Sequence, residues 1–377
     1  MGQFDIKCFD AFTDDLKIQW ESFEDKSVLY VYQTFTWCKH WYDTVGISNN
    51  YLLHILIISD DEGNNLMLLP FVRKKNITWR IEWIGSFQFD YNSPICSKNH
   101  LLSEVEFNSL WVEMVHHFKK MNISYCHLKN QPEFIESLDN PFFLYLDSYH
   151  LHKSNCIDFK IEADYFSKLN LKKILADSRR QKKRLNEIGD LSIIFAENHE
   201  SYKNQVATMI EQKENQYSVL KAINLLATNS VKSFYLDAFD NKIQQIQMSC
   251  LKLGDKIIAT HWGAIFRNRF YYLMPSFDRG EFAKFSPGKI LLEELIHISI
   301  ENKIDFFDFT IGGENYKKDW CNSGISLSNS AIPITLFGCI VTNYIRFKSF
   351  LILKILKIKF IMVVYRFFKK YVMNLYV

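Results

Sequence analysis

The chain has 377 residues and a formal charge of +3, and 48% of it is hydrophobic and 16% aromatic, with 32 Phe and 19 Tyr. That length exceeds what one hydrophobic core usually organises and that apolar content excludes a disordered chain, so two globular domains are expected. The charge is unevenly placed: residues 336–377 hold eight basic side chains and no acidic one, which leaves net −5 on the residues before them.

The eight cysteines stand singly, with no CxxC pair and no histidine at metal-ligand spacing, so they read as buried free thiols and no metal is expected. The first ten residues contain acids and lack an apolar core segment, which argues against a secretory signal, and Ile6 breaks the myristoylation pattern. A cytoplasmic, reducing location is the expectation.

In chain order, residues 27–45 run from a short apolar segment into an aromatic-rich helix with Thr34 or Thr36 as its cap. Residues 51–75 read as two strands around the acidic turn Asp60 to Asn65, and ITWRIEWIGS adds another, giving an antiparallel meander. LLSEVEFNSLWVEMVHHFKKM has apolar residues at helical spacing, and ISYCHLKN reads as a strand before Pro132 and Pro141. This α+β domain spans residues 1–150.

A second α+β domain, 151–335, repeats the order. It opens with the helix LNLKKILADSRRQKKRLNEIG, with Gly189 in a left-handed cap, and the strand LSIIFAE follows. After a helical region come three strands, IQQIQMSCLKLGD, KIIATHWGAIFRN and RFYYLMPSFD, joined by Gly-Asp and Arg-Asn turns. PGKILLEELIHISIENK is a helix with Pro287 in its first turn, and IDFFDFTIGG is a strand leading into the short helix ENYKKDW. The similar order of the two halves suggests an internal duplication.

Residues 336–377 form a basic apolar tail whose cations are Arg346, Lys348, Lys354, Lys357, Lys359, Arg366, Lys369 and Lys370. No uncharged run in it approaches the roughly 20 residues of a membrane span. It reads either as a helix covering an apolar face of the protein or as a segment lying on an anionic membrane surface.

The segments KIIATHWGAI, FSPGKILLEELI and FDFTIGGENYKKDW, in that order, resemble three consecutive signatures of the CelD/BcsL family of GNAT-type acetyltransferases. LLPFVRKK and WIGSFQFDYNSPI add to a likeness that covers roughly residues 25 to 335. The resemblance implies two tandem GNAT-like domains, each a mixed, mostly antiparallel sheet flanked by helices. It also implies acyl transfer, with acetyl-CoA or another acyl-CoA as co-substrate and an amino sugar or nucleotide sugar of surface-polysaccharide assembly as acceptor.

For the donor, Ser286, Pro287, Gly288 and Lys289 open a helix whose free N–H groups and dipole suit a pyrophosphate, although the loop is shorter than the usual GNAT one. Related enzymes place main-chain N–H groups of the preceding strand at the thioester carbonyl, which points to the backbone around Met274. Tyr316 matches the place of the acid that protonates the departing thiolate, His261 is a candidate base, and Asp308 is a further candidate in the cleft. Each reads equally as a packed residue. Glu314 and Lys317 share the helix of Tyr316.

The cluster Arg179, Arg180, Lys182, Lys183 and Arg184 is either a solvated helix end or, through Arg180 and Arg184, a holder for a phosphate-bearing acceptor. In the first domain Trp37, His40, Trp41, Asp90 and Tyr91 suit either a sugar or a packed core. Two other functions stay open: a FemX-like transferase that takes its acyl group from aminoacyl-tRNA, and a non-catalytic glycan-binding or scaffold protein. No DNA partner is expected. On the membrane reading of the tail, the protein takes a peripheral position on the inner face of the cell membrane; on the other reading the tail packs on the protein.

Overall fold

A computed structural model describes residues 4–85, 88–161, 165–167, 169–241, 243 and 245–357. The chain divides into two compact units. One takes Met1–Leu29, Asn50–His152 and Leu327–Val377, as far as these are described; the other takes Tyr30–Asn49 and Lys153–Ser326. Residues 30–49 and 327–335 are thus grouped otherwise than continuous domains of 1–150 and 151–335 would have them.

The first half of the chain contributes β1 (Asp5–Phe9), α1 (Asp14–Glu24), β2 (Ser27–Val28), α2 (Phe35–Trp41), β3 (Leu52–Ser59), β4 (Asn65–Lys75), β5 (Trp79–Trp83), β6 (Ile95–Ser97), α3 (Glu104–Lys120), β7 (Ile123–Pro132), β8 (Phe134–Ile135), β9 (Leu138–Asp139) and α4 (Pro141–Tyr145). Thr34 precedes α2 as expected, but its hydroxyl donates back to Val31 O at 2.9 Å instead of capping the helix. The second half contributes β10 (Ser148–Asp158), α5 (Leu169–Asn186), β11 (Leu191–Phe195), α6 (His199–Val219), α7 (Asn229–Leu236), β12 (Ile246–Leu253), β13 (Lys256–Phe266), β14 (Arg269–Phe277), α8 (Pro287–Glu301), β15 (Phe306–Ile311), α9 (Asn315–Trp320), β16 (Ser326–Pro333) and α10 (Leu336–Lys357). Gly189 is not left-handed: α5 stops at Asn186, and the Asn186 side chain accepts from the Leu191 N–H.

Each unit is built on a row of six strands, to which the first unit adds β6 on β4 and β2 on β6, and the two rows follow one pairing rule. In the first the order is β1-β3-β4-β5-β7-β16: antiparallel throughout, except that β5 and β7 run parallel. In the second it is β11-β12-β13-β14-β15-β10, with β14 and β15 as the parallel pair. A parallel pair needs a crossover, supplied by α3 in one and α8 in the other.

The two sixth strands enter at unlike places along the chain. β10 opens the second half and completes the second sheet; β16, which follows β15, returns to complete the first. Alternating burial cannot reveal this return, because β16 lies next in sequence to elements of the second unit.

The core of the second unit packs α8 (Ile290, Leu291, Leu295, Ile296) against Phe270 and Tyr272 of β14 and Phe307 and Phe309 of β15. At about 25 cal/mol per Å² of apolar surface, such fully covered aromatics each contribute on the order of 2 to 3 kcal/mol. They hold the helix start and the two parallel strands in fixed register. Among the cysteines, Cys38, Cys96, Cys126, Cys156 and Cys250 are buried as expected, whereas Cys8 is exposed.

Candidate active site

A fault in strand pairing makes the cleft of the second unit. β14 aligns with β13 at His261↔Pro275 and Trp262↔Met274, but Ala264 then faces Tyr271, so β14 carries an extra residue at Tyr272–Leu273. A bulge of this kind increases local twist and bends its strand. On its other side β14 pairs with β15 only as far as Tyr271↔Asp308. Past that point β15 continues along β10 to Ile311↔Ser154, β14 continues along β13 to Phe277, and the two part.

Here lies a cavity of about 270 Å³. Tyr272, Pro275, Ser276 and Phe277 line it from β14, Ser286, Gly288, Lys289 and Leu292 from the start of α8, Lys213 and Gln216 from α6, and Glu314 and Tyr316 from the end of β15 onward. A second cavity of about 250 Å³ lies on the α5 side of the same helix start and shares Ser286 and Lys289 with the first.

Parting two strands orphans the backbone groups on their facing edges, and two lysines satisfy carbonyls there. Lys213 Nζ donates to Pro275 O at 2.8 Å, and Pro275 itself has no N–H to leave unpaired. Lys317 Nζ donates to Phe309 O at 3.0 Å and Ile311 O at 3.4 Å and pairs with Glu314 at 3.0 Å. A Cβ on Gly312 would sit 2.2 Å from that carboxylate and 2.4 Å from the ammonium, so a side chain there would displace the Glu314–Lys317 pair.

The electrostatics separate the candidate proton carriers. Burial lowers the Lys213 ammonium to about 8, although Glu314 acts in the opposite direction. Burial, with Glu314 adding to it, raises the Tyr316 hydroxyl above the ordinary tyrosine range. Burial works against charge on Glu314, but Lys317 outweighs it and holds the carboxyl below its usual value. Lys213 is thus the strongest neutral-pH acid among these donors.

Lys213 is positioned by its neighbour. Gln212 Oε1 accepts from Thr260 and from Ser276, both at 3.0 Å, and its Nε2 donates to Ile257 O at 3.3 Å, fixing α6 to β13 and β14. Replacing Gln212 by Ala removes the shared acceptor of two buried hydroxyls and is expected to cost about 1–3 kcal/mol, measured as a shift in the denaturant midpoint.

The helix start is less open than its sequence implies. Ser286 is left-handed (φ 57°) and makes no side-chain cap, Pro287 is buried and lacks an N–H, and the Lys289 and Ile290 N–H groups both bond Ser286 O. Among the described residues this leaves the Gly288 N–H as the free donor of the first turn, beside the exposed Lys289 side chain. A Cβ on Gly288 would meet Phe277 at 3.3 Å.

Of the residues read from sequence, Ser286, Gly288, Lys289, Glu314 and Tyr316 come together in this cavity. Met274 is half-buried on the open strand and Lys317 is buried in the β15 edge; neither side chain lines the cavity. His261 does not fit the role of a base. It is fully buried, stacked on Tyr272 at 4.4 Å and on Phe270 at 5.4 Å, and burial lowers it to about 3, so it stays neutral in the core. Asp308 also lies outside the cleft: fully buried, it pairs with Arg269 at 2.7 Å and accepts the Thr310 N–H at 2.7 Å.

The acceptor readings change as well. Trp37 is 1% exposed and packs on Trp262 and Phe234, with Trp41 fully buried, so neither ring can stack on a sugar. In the first unit Tyr91 is buried and Asp90 half-buried. Arg180 and Arg184 are exposed on α5, Arg180 pairs with Asp177, and neither lines either cavity.

The first unit has the same row of six strands, and among its described residues the end of β5 is covered by packing. β5 runs to Trp83 without a bulge against β4, its one register shift lying against β7 at Trp79/Arg80, and Phe142 of α4 packs on Trp83 at 5.2 Å and on Phe107 at 5.3 Å. Its crossover helix is closed by its own anion: the Glu106 carboxylate accepts the Ser103 N–H at 2.8 Å in a capping box.

Residues 172–318 match the family described as Acetyltransferase (GNAT) domain. The chain is an acyltransferase. The matched span contains every residue that lines the cleft cavity. Over nearly its whole length the fold is similar to the crystal structure of FemX, with a TM-score of 0.62 at 9% identity, covering 91% of this chain and 100% of FemX. It is also similar to a conserved protein of unknown function from Bacteroides thetaiotaomicron, with a TM-score of 0.54 at 7% identity, covering 87% of this chain and 100% of that one. At such identities the likeness establishes the fold, two GNAT-like domains in tandem. No curated protein sequence matches the chain significantly.

The acyltransferase domain owes two cleft residues, Lys213 and Gln216, to α6, where sequence offers only a polar helix; its weak amphipathic pattern hides which face is buried. In the first unit the fold also gathers Cys8, His54 and His117, a group that sequence spacing does not reveal. His54 has Nδ1 3.5 Å from Cys8 Sγ and Nε2 3.3 Å from His117 Nε2, so one ion could use only one edge of it. Burial, then His117 and Arg73, lower His54 to about 3. The added charge of Arg73 opposes a cation, and the group is a hydrogen-bonded chain of neutral side chains.

Proposed function

We propose that the second unit transfers an acyl group, most simply acetyl, from coenzyme A to the amine of an amino sugar or nucleotide sugar in surface-polysaccharide assembly. The observation that carries the donor half is the cavity where β14 and β15 part, bounded by the start of α8 and by Lys213, Glu314 and Tyr316. A thioester lying along the open edge of β14 would meet main-chain groups on one side and Leu292 and Phe277 on the other. The acceptor half is supported by the CelD/BcsL resemblance of the motifs alone.

In this reading the amine nitrogen attacks the thioester carbon, the C–N bond forms and the C–S bond breaks. Glu314, the one acid among the described lining residues, takes the amine proton, and the leaving thiolate takes one from Lys213, with Tyr316 donating a hydrogen bond. An ammonium near 8 is matched to a thiol of ordinary pKa, about 8.5.

A second donor is favoured by one observation. With a single free N–H at its start, α8 is a sparse cradle for a pyrophosphate, which suits an aminoacyl-tRNA ester as in the FemX-like reading. The two are separated by titrating acetyl-CoA and following the melting temperature. A concentration-dependent rise is expected, lost in Gly288→Glu, which sets a carboxylate at the helix start. No rise in the wild-type protein, with tRNA retained through purification, would overturn the coenzyme A reading.

A further inference from the structure

α10 is turned the wrong way round for a surface helix in water. Gly338, Thr342 and Arg346, at intervals of four, face the first unit. A Cβ on Gly338 would lie 1.8 Å from Ser124 O, Thr342 is 2% exposed, and Arg346 donates to Ala331 O at 3.0 Å and pairs with Asp147 at 3.1 Å. The opposite stripe, at intervals of three and four, is Phe337, Ile340, Tyr344, Phe347 and Leu351, which are 40–68% exposed. A helix on a soluble protein normally shows water its polar face; this one shows an apolar stripe flanked by the exposed Lys348 and Lys354.

We infer that the exposed face of α10 docks on an anionic lipid surface, lying in its plane. By length and composition Leu336–Lys354 could cross a bilayer. Crossing is ruled out by the other face, which packs on β7 and ties Arg346 to Asp147 and Ala331. The lipid is chosen by charge. Residues 336–377 carry eight cations and no acid while the rest of the chain is net −5, so an anionic surface attracts this helix and repels the remainder. A second copy docked on the same stripe would instead bring Lys348 and Lys354 against their own kind. Lysine stems can lie along the apolar stripe with their ammonium groups at lipid phosphates. Residues 358–377, the rest of the basic tail, lie outside the described residues. The inference does not depend on the proposed donor or acceptor.

Sedimentation with vesicles tests it, using the full chain and phosphatidylcholine vesicles with or without about 30% phosphatidylglycerol. The wild-type protein is expected to pellet with the anionic vesicles alone and to be released by high salt. The double variant Ile340→Glu, Phe347→Glu alters two exposed side chains, so its melting temperature should be unchanged while vesicle affinity falls at least about tenfold. Lys348→Glu with Lys354→Glu should weaken binding without touching the apolar stripe. Failure of the wild-type protein to bind anionic vesicles would overturn the inference. So would equal binding by the Ile340/Phe347 variant, or a variant that changes only the oligomeric state.

Discussion

Lys213→Met is expected to lower kcat by about 10²- to 10⁴-fold, the usual contribution of a positioned proton carrier, while stabilising the fold. Both effects come from one ammonium withdrawn from water. In the folded chain it titrates at about 8, against an ordinary 10.5. Between those values the unfolded chain holds more protons, so stability should rise with pH through that window, and below pH 8 the full penalty applies. The difference sets an upper bound of about 3 kcal/mol. At pH 7 the Met variant should therefore gain about 1–3 kcal/mol, reduced by the lost bond to Pro275 O. Its stability should also vary less between pH 8 and 10.5. The wild-type pH–rate profile should fall above about 8 as Lys213 loses its proton. A full-activity Met variant that retains that descending limb would remove Lys213 from the chemistry.

Arg269→Met should be the most destabilising single change in the second unit, at about 3–5 kcal/mol, because it leaves the Asp308 carboxylate buried without its cation. The pair clamps the last point at which β14 and β15 run together, Tyr271↔Asp308. Removing both charges should cost less than removing one, so Arg269→Met with Asp308→Asn is expected to recover part of the loss. A double-mutant cycle on the denaturant midpoint measures the coupling; strictly additive losses would show that the pair is not a unit.

The order of strands in the second half was legible because hydrophobic runs and turn signals mark β12, β13 and β14 with little ambiguity, and Pro287 marks the start of α8. The cavity members Ser286, Gly288, Lys289, Glu314 and Tyr316 followed because they sit at element ends, where local sequence and place in the fold coincide. His261 and Trp37 misled for the opposite reason. Their side chains carry chemistry in any context, and only tertiary packing shows that one is stacked under Tyr272 and the other sealed against Trp262. Lys213 was missed because nothing on α6 distinguishes a lysine aimed at a strand carbonyl from one in water. The bulge at Tyr272–Leu273, which opens the cleft, is a property of register and leaves no mark on composition.

The late return of β16 ties the first sheet to the far end of the chain. A chain ending after the first half would lack β16 and leave Tyr125–Pro132 of β7 as a bare edge, a row of unpaired amides and carbonyls ready to pair with another molecule. A chain starting after β10 would strip β15 in the same way. No single cut yields two finished sheets. A cut before β10 keeps all six strands of the second sheet, β10 to β15, on one piece, but it carries β16 away with them, so the half that bears the acyl-transfer cleft cannot be lost without unfinishing the first sheet.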